Sequence, residues 1–257
     1  MGLYYGNFLF FRFGLINQKK LILMNKIVLF VGAFNKRKKK DLYGGQLYAC
    51  ESLVNSNLSE KYTFIKLCST QRSIPPPNFF LRFYDSILRI VELIQNIIFK
   101  KIDIALIFTG DGMGFLEKGL MIFLCKKNNI KTILFPRSGL IKNDIRNKYF
   151  KYFLIFTLKN TNYLMTQGNT WKNFFLKYID NKNKIIVQQN WINTSCYNNK
   201  RDFTNKKLNI LYLGWVDKQK GIFDLLEVFK KLVVDQKRKN ISLIIAGKGK
   251  DFDLLIS

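Results

Sequence analysis

The residues best spaced to do chemistry stand late in the chain, in ILYLGWVDKQKGIFDLL from Ile210 to Leu226 and LIIAGKG from Leu243 to Gly249. An apolar run of strand length delivers Gly214 to a turn, and a segment of helical period opens after Gly221. A glycine at a strand end lets a ligand approach the backbone, and the first turn of a helix offers unpaired N–H groups, so the pattern is that of an anion site. Lys220 stands just before that helix, where its ammonium can join the amides around a phosphate group. The bland reading has two glycines shaping tight turns and one solvated lysine, and spacing alone does not separate the two. Asp111, in TGDGMG (Thr109–Gly114), and Arg137, in FPRSG (Phe135–Gly139), each follow an apolar strand. Both therefore fall at the carboxyl edge of a sheet, where ligands of open α/β folds bind. Asp111 can orient a hydroxyl there or simply cap the next helix. Gly44 and Gly45 suit either a ligand-facing loop or an ordinary turn before a helix.

Other chemistries are excluded by composition. The chain has no histidine, which removes a Ser-His-Asp triad, a Cys-His nucleophile and a His-ligated zinc. Its cysteines, Cys50, Cys68, Cys125 and Cys196, are far apart with no C-x-x-C pair, as expected of reduced thiols.

Strand-length apolar runs alternate with longer segments of helical period, the pattern of a parallel sheet covered by helices, so the expected class is α/β. Strands are expected at Lys26–Val31, Tyr62–Leu67, Ile102–Phe108, Lys131–Phe135, Tyr163–Thr166 and Lys184–Val187. Helices are expected at Gly45–Val54, Asn78–Phe99, Phe115–Lys127, Ile145–Leu158 and Thr170–Tyr178. Together they make one Rossmann-like domain over residues 24–192, after an N-terminal extension of residues 1–23. An Asn- and Lys-rich stretch from Asn193 to Lys207 reads as a linker. From Leu208 to Ser257 the pattern restarts with a strand at Leu208–Leu213, a helix at Ile222–Val234 and a strand at Ile241–Ala246. That is the first βαβ unit of a second Rossmann-like domain.

In the order Gly214, Lys220-Gly221, an apolar helix, then Ala246-Gly247-x-Gly249, the late segment resembles the start of the donor domain in glycosyltransferase family 4. The resemblance extends back to Met24. Gly44-Gly45 resembles the family's glycine-rich loop, and KIIVQQN (Lys184–Asn190) resembles the last N-domain strand and the Asn before the crossover. It implies a GT-B fold and transfer of a sugar from a nucleotide-sugar to a lipid-linked or polysaccharide acceptor, with retention, in cell-surface glycan biosynthesis. It also implies that Lys220 and Gly221 hold the donor diphosphate, that Gly214 lines that pocket, and that Gly44, Gly45, Asp111 and Arg137 face the acceptor-side cleft. Trp215 stands where the family commonly has a second cation, which leaves its indole for packing or sugar contact. Gly247 and Gly249 form the donor-domain turn. The family's spaced pair of glutamates, which holds the sugar and ribose, is not found, so no catalytic residue is assigned. The expectation is an incomplete donor domain, an inactive or unstable chain and an apolar sheet face open to association. No cofactor is expected beyond the nucleotide-sugar co-substrate. Asp251-Phe252-Asp253 has the spacing of a metal-binding Asp-x-Asp, but it follows Gly249 and opens a helix, where acidic residues suit the dipole, so no metal is expected.

The formal net charge is +26, from 43 Lys+Arg against 17 Asp+Glu. Such a charge normally points to phosphates, nucleic acid or an anionic membrane. An AT-rich genome would produce the same Lys, Asn, Ile and Phe bias. A nucleic-acid-binding protein is the rival of a different class, with Lys36–Lys40 as its best support and no recognition motif or aromatic platform. A nucleotide-sugar epimerase of the same fold is a nearer rival. No run of about eighteen uncharged apolar residues is present, so no spanning helix is expected. A cytoplasmic protein is expected, with peripheral contact to the inner face of an anionic membrane. The segment from Phe79 to Ile90 mixes aromatic, aliphatic and basic residues as an interfacial helix does. It also reads as a core-facing helix with two surface arginines.

Overall fold

The computed structural model describes residues 26–34, 44–73, 77–192 and 208–256. The expected N-terminal extension, the Lys36–Lys40 run, Cys196 and the Asn193–Lys207 linker lie outside the described residues. The chain divides into two compact units. The first runs to Thr70 and from Tyr84 to Asn190, and the second comprises Gln71–Phe83 and the chain from Trp191.

The first unit is built on strands β1 (Lys26–Gly32), β2 (Tyr62–Cys68), β3 (Ile104–Thr109), β4 (Lys131–Pro136), β5 (Tyr163–Thr166) and β6 (Ile185–Val187). They form one sheet in the order β2-β1-β3-β4-β5-β6, with every pair parallel. Parallel strands need crossover helices, which cover both faces of the sheet. The central strands are accordingly near-continuous apolar runs, buried from Val28 to Val31 in β1 and from Ala105 to Phe108 in β3. Strand order reverses between β1 and β3, and the carboxyl ends of those strands are where a ligand crevice opens in this topology.

The helices are α1 (Gly45–Val54), α2 (Phe79–Phe99), α3 (Gly112–Lys127), the short α4 (Ile141–Asp144), α5 (Lys148–Asn160) and α6 (Asn169–Phe175). On one sheet face Leu29, Val31, Ala105, Ile107 and Leu134 pack with Leu93 of α2, Phe115, Met121 and Ile122 of α3, and Leu154 and Leu158 of α5. The other face carries an aromatic row, in which Phe30 lies 4.9 Å from Phe108 and Phe108 lies 5.1 Å from Phe135. Gly119 sets the approach of α3 to α5, because a Cβ there would fall 2.4 Å from Phe153 and 2.5 Å from the Thr157 hydroxyl.

Two expectations change. The helix expected over Ile145–Leu158 is α5, Lys148–Asn160, and the short α4 ends at Asp144, before the expected span begins. Asn147 sets the start of α5 by accepting the Tyr149 and Phe150 backbone N–H groups. Helix α2 carries apolar residues on two faces. Leu93 is buried and Ile90 and Ile97 pack against the core with it, whereas Phe80 is 81% and Ile98 67% exposed. Arg89 turns inward beside them and holds Glu117 of α3 through Nε and one Nη, at 2.6 and 2.8 Å.

In the second unit β7 (Leu208–Leu213) pairs parallel with β8 (Ile241–Ala246). Helix α7 (Ile222–Val234) links them, and α8 (Phe252–Ile256) follows. Leu211, paired with Ile244, and Leu213, paired with Ala246, lie on one face of this ribbon. Leu211, Leu213 and Ile244 are exposed there.

Candidate functional site

The candidate residues of the second unit stand on two loops that run side by side after their strands. Pairing continues past the strand ends: the Gly214 N–H donates to the Ala246 carbonyl at 3.1 Å and the Val216 N–H to the Lys248 carbonyl at 3.1 Å. That continuation explains Gly247 and Gly249. A Cβ on Gly247 would fall 1.8 Å from the Gly214 carbonyl oxygen, and one on Gly249 would fall 2.1 Å from that of Val216. Side-chain bonds lock the pair further. The Asp251 carboxylate accepts the Lys218 N–H at 2.7 Å, the Asp217 carboxylate accepts the Gln219 N–H at 2.9 Å, and the Lys250 ammonium lies 3.3 Å from Asp217. The Gln219 N–H, with Lys250 and Lys220 near, holds the Asp217 carboxyl below the usual range. Asp251 thus belongs to this lock, and Asp253 falls in the first turn of α8.

The first loop closes in a 3-10 turn at Lys218–Lys220, and Gly221 then adopts φ 74°, ψ 19° to start α7. That left-handed conformation strains any residue with a Cβ, so glycine has a backbone reason here. No side chain caps α7. Lys218, Lys220, Lys248 and Lys250 are exposed around the paired loops. The Trp215 indole is also partly exposed, while its carbonyl accepts the Tyr212 hydroxyl at 2.8 Å. Uncapped amides and four ammonium groups can hold an anion.

In the first unit the candidates gather at the carboxyl edge of the sheet. Gly44 precedes α1 with an extended backbone, φ −171°, and among the described residues a Cβ on Gly44 or Gly45 would meet nothing within 4 Å. Both glycines are exposed. Asp111 precedes α3 but makes no side-chain cap bond. The Gly112 N–H donates instead to the Asp144 carboxylate at 2.8 Å, so α4 supplies the anion at this helix start and the capping role passes from Asp111 to Asp144. Arg137 leaves β4 with its N–H bonded to the Thr109 carbonyl at 2.8 Å. Its guanidinium lies over the Phe135 and Phe108 rings, at 4.9 and 5.5 Å from their centroids. Burial pushes its pKa below the ordinary arginine value. It is therefore an extension of the aromatic row as well as an edge cation.

The tertiary structure also brings together groups that spacing does not connect. Lys118, almost wholly buried, lies 3.0 Å from Glu117, which completes a buried Arg89–Glu117–Lys118 cluster. A concave groove opens beside α3 between Leu116 and the α4–α5 corner. The helix-start signal at Asn147 is the one clue to that corner in the sequence.

No family model matches the chain, and no curated protein matches it. Solved structures do. Anabaena Alr3699/HepE in complex with UDP-glucose aligns over 90% of this chain and 64% of its own, with TM-score 0.54 and 8% identity. The lipopolysaccharide outer core galactosyltransferase WaaB aligns over 89% and 62%, with TM-score 0.50 and 16% identity. A putative UDP-N-acetylglucosamine 2-epimerase from Listeria monocytogenes aligns over 85% and 61%, with TM-score 0.51 and 12% identity. The chain thus spans less than two thirds of each of these proteins. At such identities the likeness is one of fold, and the fold of this chain is α/β of the GT-B type.

Proposed function

We propose that this chain belongs to a glycosyltransferase of the family 4 kind, which transfers a sugar from a nucleotide-sugar to a hydroxyl of a lipid-linked or polysaccharide acceptor with retention. The observation that carries this reading is the loop pair of the second unit, where Gly221 places the uncapped start of α7 directly after Lys220 and Gly247 and Gly249 let the two loops lie against each other. In this reading the Lys220 ammonium and the first amides of α7 neutralise the diphosphate as the bond to the anomeric carbon breaks. Charge that develops on a leaving group is best stabilised by groups already in place. The Trp215 indole offers a face to the sugar ring. Gly44, Gly45, Asp111 and Arg137 of the first unit serve the acceptor, with Asp111, free of a capping role, orienting its hydroxyl. The UDP and UDP-glucose named for HepE support a uridine nucleotide as the first donor to try. Cell-surface glycan synthesis, at the cytoplasmic face of a membrane, is the setting that fits.

Calorimetry with UDP tests the reading. UDP should bind, and Lys220→Ala should weaken it by about tenfold or more, the value of one charge-assisted contact. If no nucleoside diphosphate binds, and mixed-sequence DNA binds with a steep salt dependence that UDP does not relieve, the chain is a nucleic-acid-binding protein instead.

A further inference from the structure

We propose that the groove between α3, α4 and α5 is a saccharide-binding site that seats the sugar of the acceptor. As a saccharide site it stands by itself, and as an acceptor site it rests on the transferase reading. The groove is open to solvent and offers about 670 Å³, within the range of roughly 300–1,000 Å³ usual for small-molecule sites. All its lining residues belong to the first unit.

Its chemistry has two halves. Tyr149, Phe150 and Phe153 of α5, with Leu116 of α3, supply an aromatic and aliphatic wall. Asn143 and Arg146 stand on the polar side with Asp144 and Asn147. A pyranose has the complementary halves: a face of C–H bonds that rests on an aromatic ring, and a rim of neighbouring hydroxyls that pairs with planar amide, carboxylate and guanidinium groups. A lipid tail would set apolar chain against the Asn143 and Arg146 side chains, which is costly. A phosphate would meet the Asp144 carboxylate beside the one lining cation, Arg146, so the groove suits a neutral ring better.

The walls are held before any ligand arrives. Phe150 packs 5.4 Å from Phe115 of the core, and Asn147 fastens the start of α5 through the Tyr149 and Phe150 N–H groups. Among the described residues Arg146 has no ion-pair partner, and Tyr149 is 73% exposed, so both are available to a ligand. One Asp144 oxygen accepts the Gly112 N–H, which ties the groove to the turn that carries Asp111 at the end of β3. A sugar seated in the groove adjoins the edge where the acceptor hydroxyl is expected.

The test is an NMR titration of the whole chain with cellobiose, lactose and N,N′-diacetylchitobiose, with sorbitol as the control, repeated with UDP present. At least one disaccharide should shift amides from Asn143 to Phe153, and sorbitol should not. Tyr149→Ala and Arg146→Ala, both at the surface, should each weaken that binding about tenfold or more, as loss of a central aromatic or arginine contact does, and leave UDP affinity unchanged. No disaccharide binding, binding that maps elsewhere, or binding indifferent to both substitutions overturns the proposal. So does a response of these amides to anionic vesicles and not to sugars. UDP binding without disaccharide binding would sink this site alone, whereas disaccharide binding without UDP binding would sink the donor reading and leave the groove a saccharide site.

Discussion

Glu117 lies between two cations in the interior of the first unit, and that placement makes its protonation a stability switch. Burial by itself raises a carboxyl pKa, but the hydrogen bonds of Arg89 and the charges of Lys118 and Arg89 outweigh it and hold Glu117 below its ordinary 4.5. A folded pKa below the unfolded one contributes stability that is complete above the unfolded value and is lost as pH falls through the folded one. The urea midpoint should therefore drop as pH is lowered from about 4.5, and Glu117→Gln should flatten that part of the profile. An unchanged slope in the variant would show that other carboxyls govern acid unfolding. Glu117→Ala, which strands Arg89 and Lys118 in the interior, should cost about 3–5 kcal/mol in a urea melt. Burial pushes Lys118 below its usual lysine value despite Glu117, which has the same sign: stability rises with pH across the window between its folded and unfolded values. The residues of this cluster are adjacent or distant in sequence, and nothing in their spacing marks them as a set.

Among the elements, α2 departs most from ordinary globular logic. Phe80, Tyr84, Ile87, Val91, Ile94 and Ile98 recur at helical spacing and are all exposed, a second apolar stripe beside the one that Ile90, Leu93 and Ile97 turn to the core. Arg82 is exposed at the start of the same helix. An exposed apolar stripe with adjoining basic charge is the form of a helix that lies on an anionic bilayer surface. No helix among the described residues is long and apolar enough to cross one. The chain should co-sediment with vesicles containing phosphatidylglycerol and not with purely zwitterionic ones, and Phe80→Glu with Ile98→Glu should abolish it. If those substitutions instead turn a dimer into a monomer without affecting sedimentation, the stripe is an interface between copies. The extent of this helix is legible from the sequence, since its apolar period is strong. Its orientation is not, because a stripe of one period fits a core or a surface, and the packing of Ile90, Leu93 and Ile97 with the pairing of Arg89 and Glu117 turns one side inward.

At the scale of the molecule the two units differ in how much they bury. The first has a continuous core from Leu29 to Ile185, whereas in the second only Val216 and Ile222 are fully buried apolar residues among those described. Regions with few buried apolar contacts open at lower free energy, so amides of β7 and β8 should exchange with solvent well before those of β1, β3 and β4. UDP should slow the β7 and β8 amides and leave β1 unchanged. Equal exchange in both sheets would overturn this account of where stability resides. The net charge of +26 leaves the fold unaffected and acts through the surface, where exposed lysines surround the paired loops of the second unit. By itself the sequence determined the α/β alternation, the strands at Tyr163–Thr166, Leu208–Leu213 and Ile241–Ala246, and the glycine turn at Gly221 that opens α7, since each is a local matter of period and backbone freedom. Only the tertiary structure decided that Gly247 and Gly249 admit a neighbouring carbonyl, that Asp144 rather than Asp111 serves the start of α3, and that α4 and α5 enclose a groove with Leu116. Those outcomes depend on which distant backbones come within bonding distance, and that information resides in the packing of the sheet, not in any window of the chain.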